Sequence, residues 1–140
     1  MLLKRVAAAS DGSSRLHRIL VVEDEAAVAE GLRLLLEQEY AVEVASSGRQ
    51  ALDLLLGGGS FDAVLCDLMM PGMSGIELFR ALEVRAPGLE KRLVFMTGGA
   101  FTPEAESFLE EVSNARVEKP FDFASVDRLL RAAVAATSVI

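Results

Sequence analysis

The chain has 140 residues, which suits one domain able to bury most of its apolar surface. Its 51% apolar and 25% charged residues exclude a disordered chain, and no apolar run reaches the roughly 18 residues of a membrane-spanning helix. The net charge of −7 disfavours nucleic-acid binding by bulk electrostatics, and the single cysteine, Cys66, excludes an internal disulfide or a cysteine-built zinc cluster.

Residues 1–16, with the loop composition Ser10-Asp11-Gly12-Ser13-Ser14, are expected to form a flexible tail or linker, and the domain is expected over 17–140. Val6-Ala7-Ala8-Ala9 behind Lys4 and Arg5 is too short for a signal peptide, so a cytoplasmic setting is expected. Arg18-Ile19-Leu20-Val21-Val22 predicts strand one, buried on both faces, ending against Glu23-Asp24-Glu25. Val28, Leu32, Leu35 and Leu36, opposite Glu30, Arg33 and Glu37, predict helix one. Tyr40 to Ala45 predicts strand two. Ser47-Gly48-Arg49-Gln50 has capping-box spacing and starts helix two, with Ala51, Leu52, Leu55 and Leu56 on its apolar side and Gly57-Gly58-Gly59-Ser60 as its stop. Phe61 to Cys66 predicts a buried strand three that drives into Asp67 and breaks at Pro71, Gly72 and Gly75. Ser74-Gly75-Ile76-Glu77 is a second capping box, starting a helix three that runs to about Arg85 and is closed by Pro87-Gly88.

Arg92 to Met96 predicts strand four, ending at Thr97-Gly98-Gly99. Thr102-Pro103-Glu104 reads as N-cap, first-turn proline and first-turn acid, and starts a helix four that extends to about Val112. Ala115 to Glu118 predicts a short strand five before Lys119-Pro120. Asp122 is placed to cap helix five, whose apolar face is Val126, Leu129, Leu130 and Val134. Strand and helix alternate five times, which calls for a parallel sheet covered by helices on both faces.

In such sheets ligands bind at the carboxyl edge of the strands. Strand one brings Glu23 and Asp24 to that edge, strand three Asp67, strand four Thr97 and strand five Lys119. Two carboxylates about 4 Å apart repel by roughly 4 kcal/mol at an effective dielectric near 20. Lys119 offsets part of this, and a hard divalent cation would offset more. Oxygen ligands without His or Cys favour magnesium, with manganese as the alternative. An aspartate, a cation, a lysine and a hydroxyl make a phosphoryl-transfer kit, in which the carboxylate attacks phosphorus and the positive groups neutralise its oxygens.

These residues, together with Met70-Pro71, Gly75 and Lys119-Pro120-Phe121, resemble the receiver domain of two-component response regulators over roughly His17 to Ala136. The resemblance implies a flavodoxin-like (βα)5 three-layer α/β sandwich with strand order 2-1-3-4-5. It implies Asp67 as acceptor of a phosphoryl group from a histidine kinase or histidine phosphotransfer domain. Magnesium would be bound by Asp24, Glu23, Asp67 and the Met69 backbone carbonyl, while Thr97 and Lys119 contact the phosphoryl group. It also implies a switch at the surface of helix four, strand five and helix five, and a homodimer through that face. The chain departs from the family at Arg116, where strand five usually carries Tyr or Phe three residues before the lysine. With the small Gly98-Gly99-Ala100 run, this resembles receivers of hybrid histidine kinases; a stand-alone or excised receiver without a DNA-binding output segment is expected, with no nucleic-acid or membrane contact of its own.

Two other readings use the same residues. One is a magnesium-dependent aspartyl-phosphate phosphatase, which usually needs a second Asp two residues after the nucleophile, where Met69 stands. The other is a degenerate receiver that acts as a binding module. His17, the three methionines Met69, Met70 and Met73, and the Gly57-Gly58-Gly59 run are expected to be structural, since none has the partners a metal or phosphate site requires. Glu104, Glu106, Glu110 and Glu111 are expected to be a solvated helix face.

Overall fold

The computed structural model describes residues 16–98, 102–119 and 122–138. All of the expected tail except Leu16 lies outside the described residues, as do Gly99, Ala100, Pro120 and Phe121. The strands are β1 (Arg18–Val22), β2 (Ala41–Ala45), β3 (Ala63–Asp67), β4 (Leu93–Thr97) and β5 (Arg116–Glu118). The helices are α1 (Ala26–Leu36), α2 (Gly48–Leu56), α3 (Gly75–Arg85), α4 (Pro103–Glu111) and α5 (Phe123–Ser138). The sheet is parallel throughout, in the order β2-β1-β3-β4-β5. It is the flavodoxin-like α/β arrangement expected from the sequence.

Side-chain alternation divides the core between the two faces of the sheet. Leu20, Val22, Val64, Cys66, Leu93 and Phe95 face a layer made by α2, α3 and α4. Ile19, Val21, Leu65, Val94, Met96 and Val117 face α1 and α5. Ile19 to Val22 are fully buried because β1 has a strand on each side and helices on both faces. Each fully buried Leu, Ile or Phe contributes about 1.5–3 kcal/mol, so these layers outweigh any single cap.

The helix starts follow the cap chemistry of the sequence. At α3, Ser74 accepts from the Glu77 amide and Glu77 accepts from the Ser74 amide, a complete capping box. Thr102 accepts from the Ala105 amide at α4, and Asp122 from the Ser125 amide at α5. At α2 the box closes differently. Ser47 accepts from the Gln50 amide, but Gln50 reaches one residue further back, to the amide and hydroxyl of Ser46.

Other expectations need correction. Leu35 is 49% exposed, because Ala29, Leu32 and Leu36 already occupy the side of α1 turned to the sheet. Leu56 and Leu129, by contrast, pack against the core on their expected faces, though only partly buried. Arg92 ends a 3₁₀ turn, Leu89–Arg92, and donates to the Phe61 carbonyl, so β4 starts one residue later and takes in Thr97. Asp67 likewise is the last residue of β3 itself. Tyr40 and Ala115 fall just before their strands.

Candidate functional site

Residue parity decides which groups meet at the carboxyl edge. Val21 and Leu65 face the α1–α5 layer, and so does Val117. Two residues further along each chain stand Glu23, Asp67 and Lys119, which therefore lean to that same side. Lys119 Nζ lies 3.2 Å from Asp67 Oδ2 and 3.3 Å from Glu23 Oε1. Thr97 follows Phe95 and has the opposite parity.

Backbone amides complete the arrangement. Asp67 Oδ1 accepts from the Met69 amide at 3.2 Å, and Glu23 Oε2 accepts from the Glu25 amide at 3.0 Å. The Lys119 amide donates to the Thr97 carbonyl at 2.8 Å, which fixes where the lysine leaves β5. Glu23 and Asp67 are buried, whereas Asp24 is exposed. One carboxylate oxygen from each of Glu23, Asp24 and Asp67 lies within 4.8 Å of the others, a donor set suited to a hard cation. Thr97 is 1% exposed, and among the described residues its hydroxyl oxygen finds no hydrogen-bond partner. An unsatisfied buried hydroxyl costs stability and stands ready for an acceptor that arrives later.

The charges perturb one another. Burial pushes the Glu23 carboxyl above the usual range, helped by the Asp67 carboxylate and opposed by the Glu25 amide and by Lys119. Burial works against the Lys119 ammonium, but Asp67 and Glu23 together outweigh it and hold its pKa above the ordinary lysine value. Three carboxylates around one ammonium leave the cluster with excess negative charge.

Two glycines seat the loop behind Asp67. A Cβ on Gly75 would lie 2.8 Å from the Asp67 carbonyl oxygen and 2.9 Å from Leu68 Cα. A Cβ on Gly48 would overlap the Met73 carbonyl oxygen, so the loop is wedged against the start of α2. Gly75 stood out in the sequence; Gly48 did not, and its only signal is a glycine at the first position of a capped helix.

His17 stays away from this edge, while Cys66, next to Asp67 on β3, is sealed in the core. His17 Nδ1 lies 3.5 Å from Asp62 at the opposite end of the sheet. Cys66 is fully buried, and burial, with Asp67 and Glu23, pushes its thiol pKa upward, which suits an inert core residue.

Residues 19–131 match the family described as response regulator receiver domain. The chain belongs to that family. This receiver is 36% identical over 106 residues to the transcriptional regulatory protein DltR of Streptococcus agalactiae, covering 75% of the chain and 46% of that protein. It is 36% identical over 122 residues to the response regulator MprA of Mycolicibacterium vanbaalenii, covering 86% of the chain and 52% of that protein. The receiver thus spans about half the length of these relatives. Among solved structures it resembles a response regulator receiver domain from Clostridium thermocellum, with TM-score 0.79 and 25% identity, covering 89% of this chain and 98% of that one. It also has the fold of the receiver of a Pseudomonas aeruginosa sensor histidine kinase, crystallised with magnesium in its active-site cleft. That match has TM-score 0.75 and 24% identity and covers 86% of this chain and 99% of that one. Among the described residues, no helix of this receiver is long and apolar enough to cross a membrane. Arg116 is exposed on β5 opposite Phe95 in register.

Proposed function

We propose that Asp67 accepts a phosphoryl group from the phosphohistidine of a histidine kinase or phosphotransfer domain. The observation that carries this reading is Lys119 held within 3.3 Å of both Glu23 and Asp67, in a cluster that still carries excess negative charge. A carboxylate oxygen of Asp67 attacks phosphorus, the P–N bond breaks, and its electron pair stays on the imidazole nitrogen of the donor. Lys119 balances charge on the phosphoryl oxygens, and the Thr97 hydroxyl donates to one of them once it turns to the site. Glu23, Asp24, Asp67 and the Met69 carbonyl are the groups that would hold magnesium, which supplies positive charge for the transferring phosphoryl group. Its coordination in the Pseudomonas aeruginosa receiver supports that assignment.

The proposed unit is 17–140, with residues 1–16 as a linker, acting in the cytoplasm. We assign the transcriptional output implied by the name of DltR to parts of a longer protein outside the matched receiver. A homodimer through α4, β5 and α5 is the proposed self-association. Met69, in place of a second acid, offers nothing for rapid phosphatase turnover, so a switch is favoured over that enzyme.

The test is incubation with magnesium and acetyl phosphate, followed by intact mass and peptide mapping. One phosphoryl group on Asp67, absent in Asp67→Asn, is the expected result. An unmodified wild type, or an equal adduct in Asp67→Asn, would overturn the assignment.

A further inference from the structure

β2 ends at Ala45 and supplies no carboxylate to the acidic cluster, yet its end touches both sides of it. On one side the Glu23 amide donates to the Ala45 carbonyl at 3.0 Å. On the other, Gly48, the buried first residue of α2, lies directly against Met73 of the β3–α3 loop. A Cβ on Gly48 would overlap the Met73 carbonyl oxygen and lie 3.0 Å from both Cβ and Cγ of Met73.

Neither flank of this contact is free to retreat. Ser47 accepts from the Gln50 amide, and Gln50 accepts from the Ser46 amide and hydroxyl, so the start of α2 is pinned. The loop is pinned at both ends. The Leu68 amide donates to the Met96 carbonyl at 3.0 Å, and the Leu68 carbonyl accepts from the Gly75 amide at 2.9 Å. Ser74, next to Met73, is held by its capping box with Glu77. Between these anchors Met70 turns into the core, while Met69 is exposed and donates its amide to Asp67 Oδ1. A side chain at position 48 therefore displaces Met73, and the displacement falls on residues 69–73, because extra atoms in a packed site force backbone shifts.

We propose that Gly48 is a positioning residue for the cation site. Its missing side chain lets the β3–α3 loop close against the start of α2. That contact sets where the Met69 carbonyl stands relative to Glu23, Asp24 and Asp67. The inference rests on the assignment of that carbonyl to magnesium. Groups behind a ligand orient it, and their loss lowers metal affinity even when every ligand remains. Asp67 is held by its pairing with β4, so the effect falls on cation affinity before it falls on the chemistry of the acceptor.

The test is titration of the full chain with magnesium chloride, followed by calorimetry and by the Met69 amide in NMR. Gly48→Ala is expected to shift that amide before any ion is added and to weaken magnesium binding about 10-fold, the lower end of the range for groups that orient a ligand. At saturating magnesium, acetyl phosphate is expected to modify Asp67 at close to the wild-type rate, a split that general destabilisation does not produce. Val134→Ala, a core truncation on α5, is expected to lose stability and keep wild-type magnesium affinity. If Gly48→Ala does not fold, Met73→Ala decides in its place, since it loosens the same contact from the loop side: weaker binding supports the seat, and wild-type affinity overturns it. Unchanged affinity in Gly48→Ala, or an equal loss in Val134→Ala, would overturn the positioning role alone. A wild type that binds no magnesium would overturn the cation assignment and the positioning role with it.

Discussion

Lys119 reaches across the end of β4 to lie 3.2 Å from Asp67, although their strands are not neighbours in the sheet. The path is open because Thr97, the last residue of β4, leans to the other layer. The same ammonium serves Glu23 at 3.3 Å, so one cation holds two buried carboxylates together.

Lys119→Met leaves Glu23 and Asp67 facing each other without that cation. With divalent ions removed, urea unfolding should show a loss of about 1–3 kcal/mol, below the range for a fully buried pair because the lysine is partly exposed. Adding magnesium should recover more stability in the variant than in wild type, since a ligand of the native state stabilises in proportion to its affinity. Phosphorylation of Asp67 should slow by about 100- to 1,000-fold, as expected for loss of one charge-stabilising group. A variant with wild-type stability and rate would show that the contact carries neither.

Tyr40 supplies an alkaline limit to stability. Its pKa is raised well above the ordinary value of 10.0, first by burial and then by its hydrogen bond to Asp127. The unfolded phenol loses its proton near that ordinary value while the native one keeps it. The native state therefore binds more protons, and stability falls as pH rises from about 10 toward the folded pKa. Tyr40 is the only tyrosine and the chain has no tryptophan, so phenolate absorbance reports it directly. Tyr40→Phe should flatten the alkaline slope and lose about 1–2 kcal/mol at neutral pH.

Two glycines should respond in opposite directions to alanine. Gly75→Ala places its Cβ against the backbone of Asp67 and Leu68, which cannot yield cheaply. It should lose about 1–3 kcal/mol and reduce phosphorylation of Asp67. Gly31 sits inside α1 with nothing within 4 Å of a Cβ, so Gly31→Ala should gain about 1 kcal/mol from helix propensity alone. Thermal or urea midpoints distinguish the two.

Arg116→Ala should leave the phosphorylation rate of Asp67 within about two-fold of wild type, because the exposed side chain lies on the Phe95 side of β5 and away from the Lys119 side. A rate that collapses in acetyl phosphate assays would put Arg116 in the acceptor site.

Much of the fold was legible because its signals are local. Apolar β-branched runs, cap residues such as Ser74 and Thr102, and glycine stops act within a few residues of one another. Their alternation leaves few topologies, and the strand ends then name Glu23, Asp24, Asp67, Thr97 and Lys119 together. The errors were local competitions that packing settled. Leu35 matched the helical spacing, yet Ala29, Leu32 and Leu36 took the inward side. Gln50 had capping-box spacing, yet Ser46 was the nearer donor pair.

By itself the sequence determined a parallel α/β sheet, its element order and the set of groups at its carboxyl edge, because periodicity and cap chemistry are short-range. Only the tertiary structure decided that Glu23 is buried beside Lys119 while Asp24 is exposed, that Thr97 leans away with a hydroxyl that has no hydrogen-bond partner among the described residues, and that Phe108 of α4 meets Phe95 edge-on. Each of these depends on which face a side chain meets after distant strands have aligned, and on what a neighbouring helix brings there, neither of which a local pattern contains.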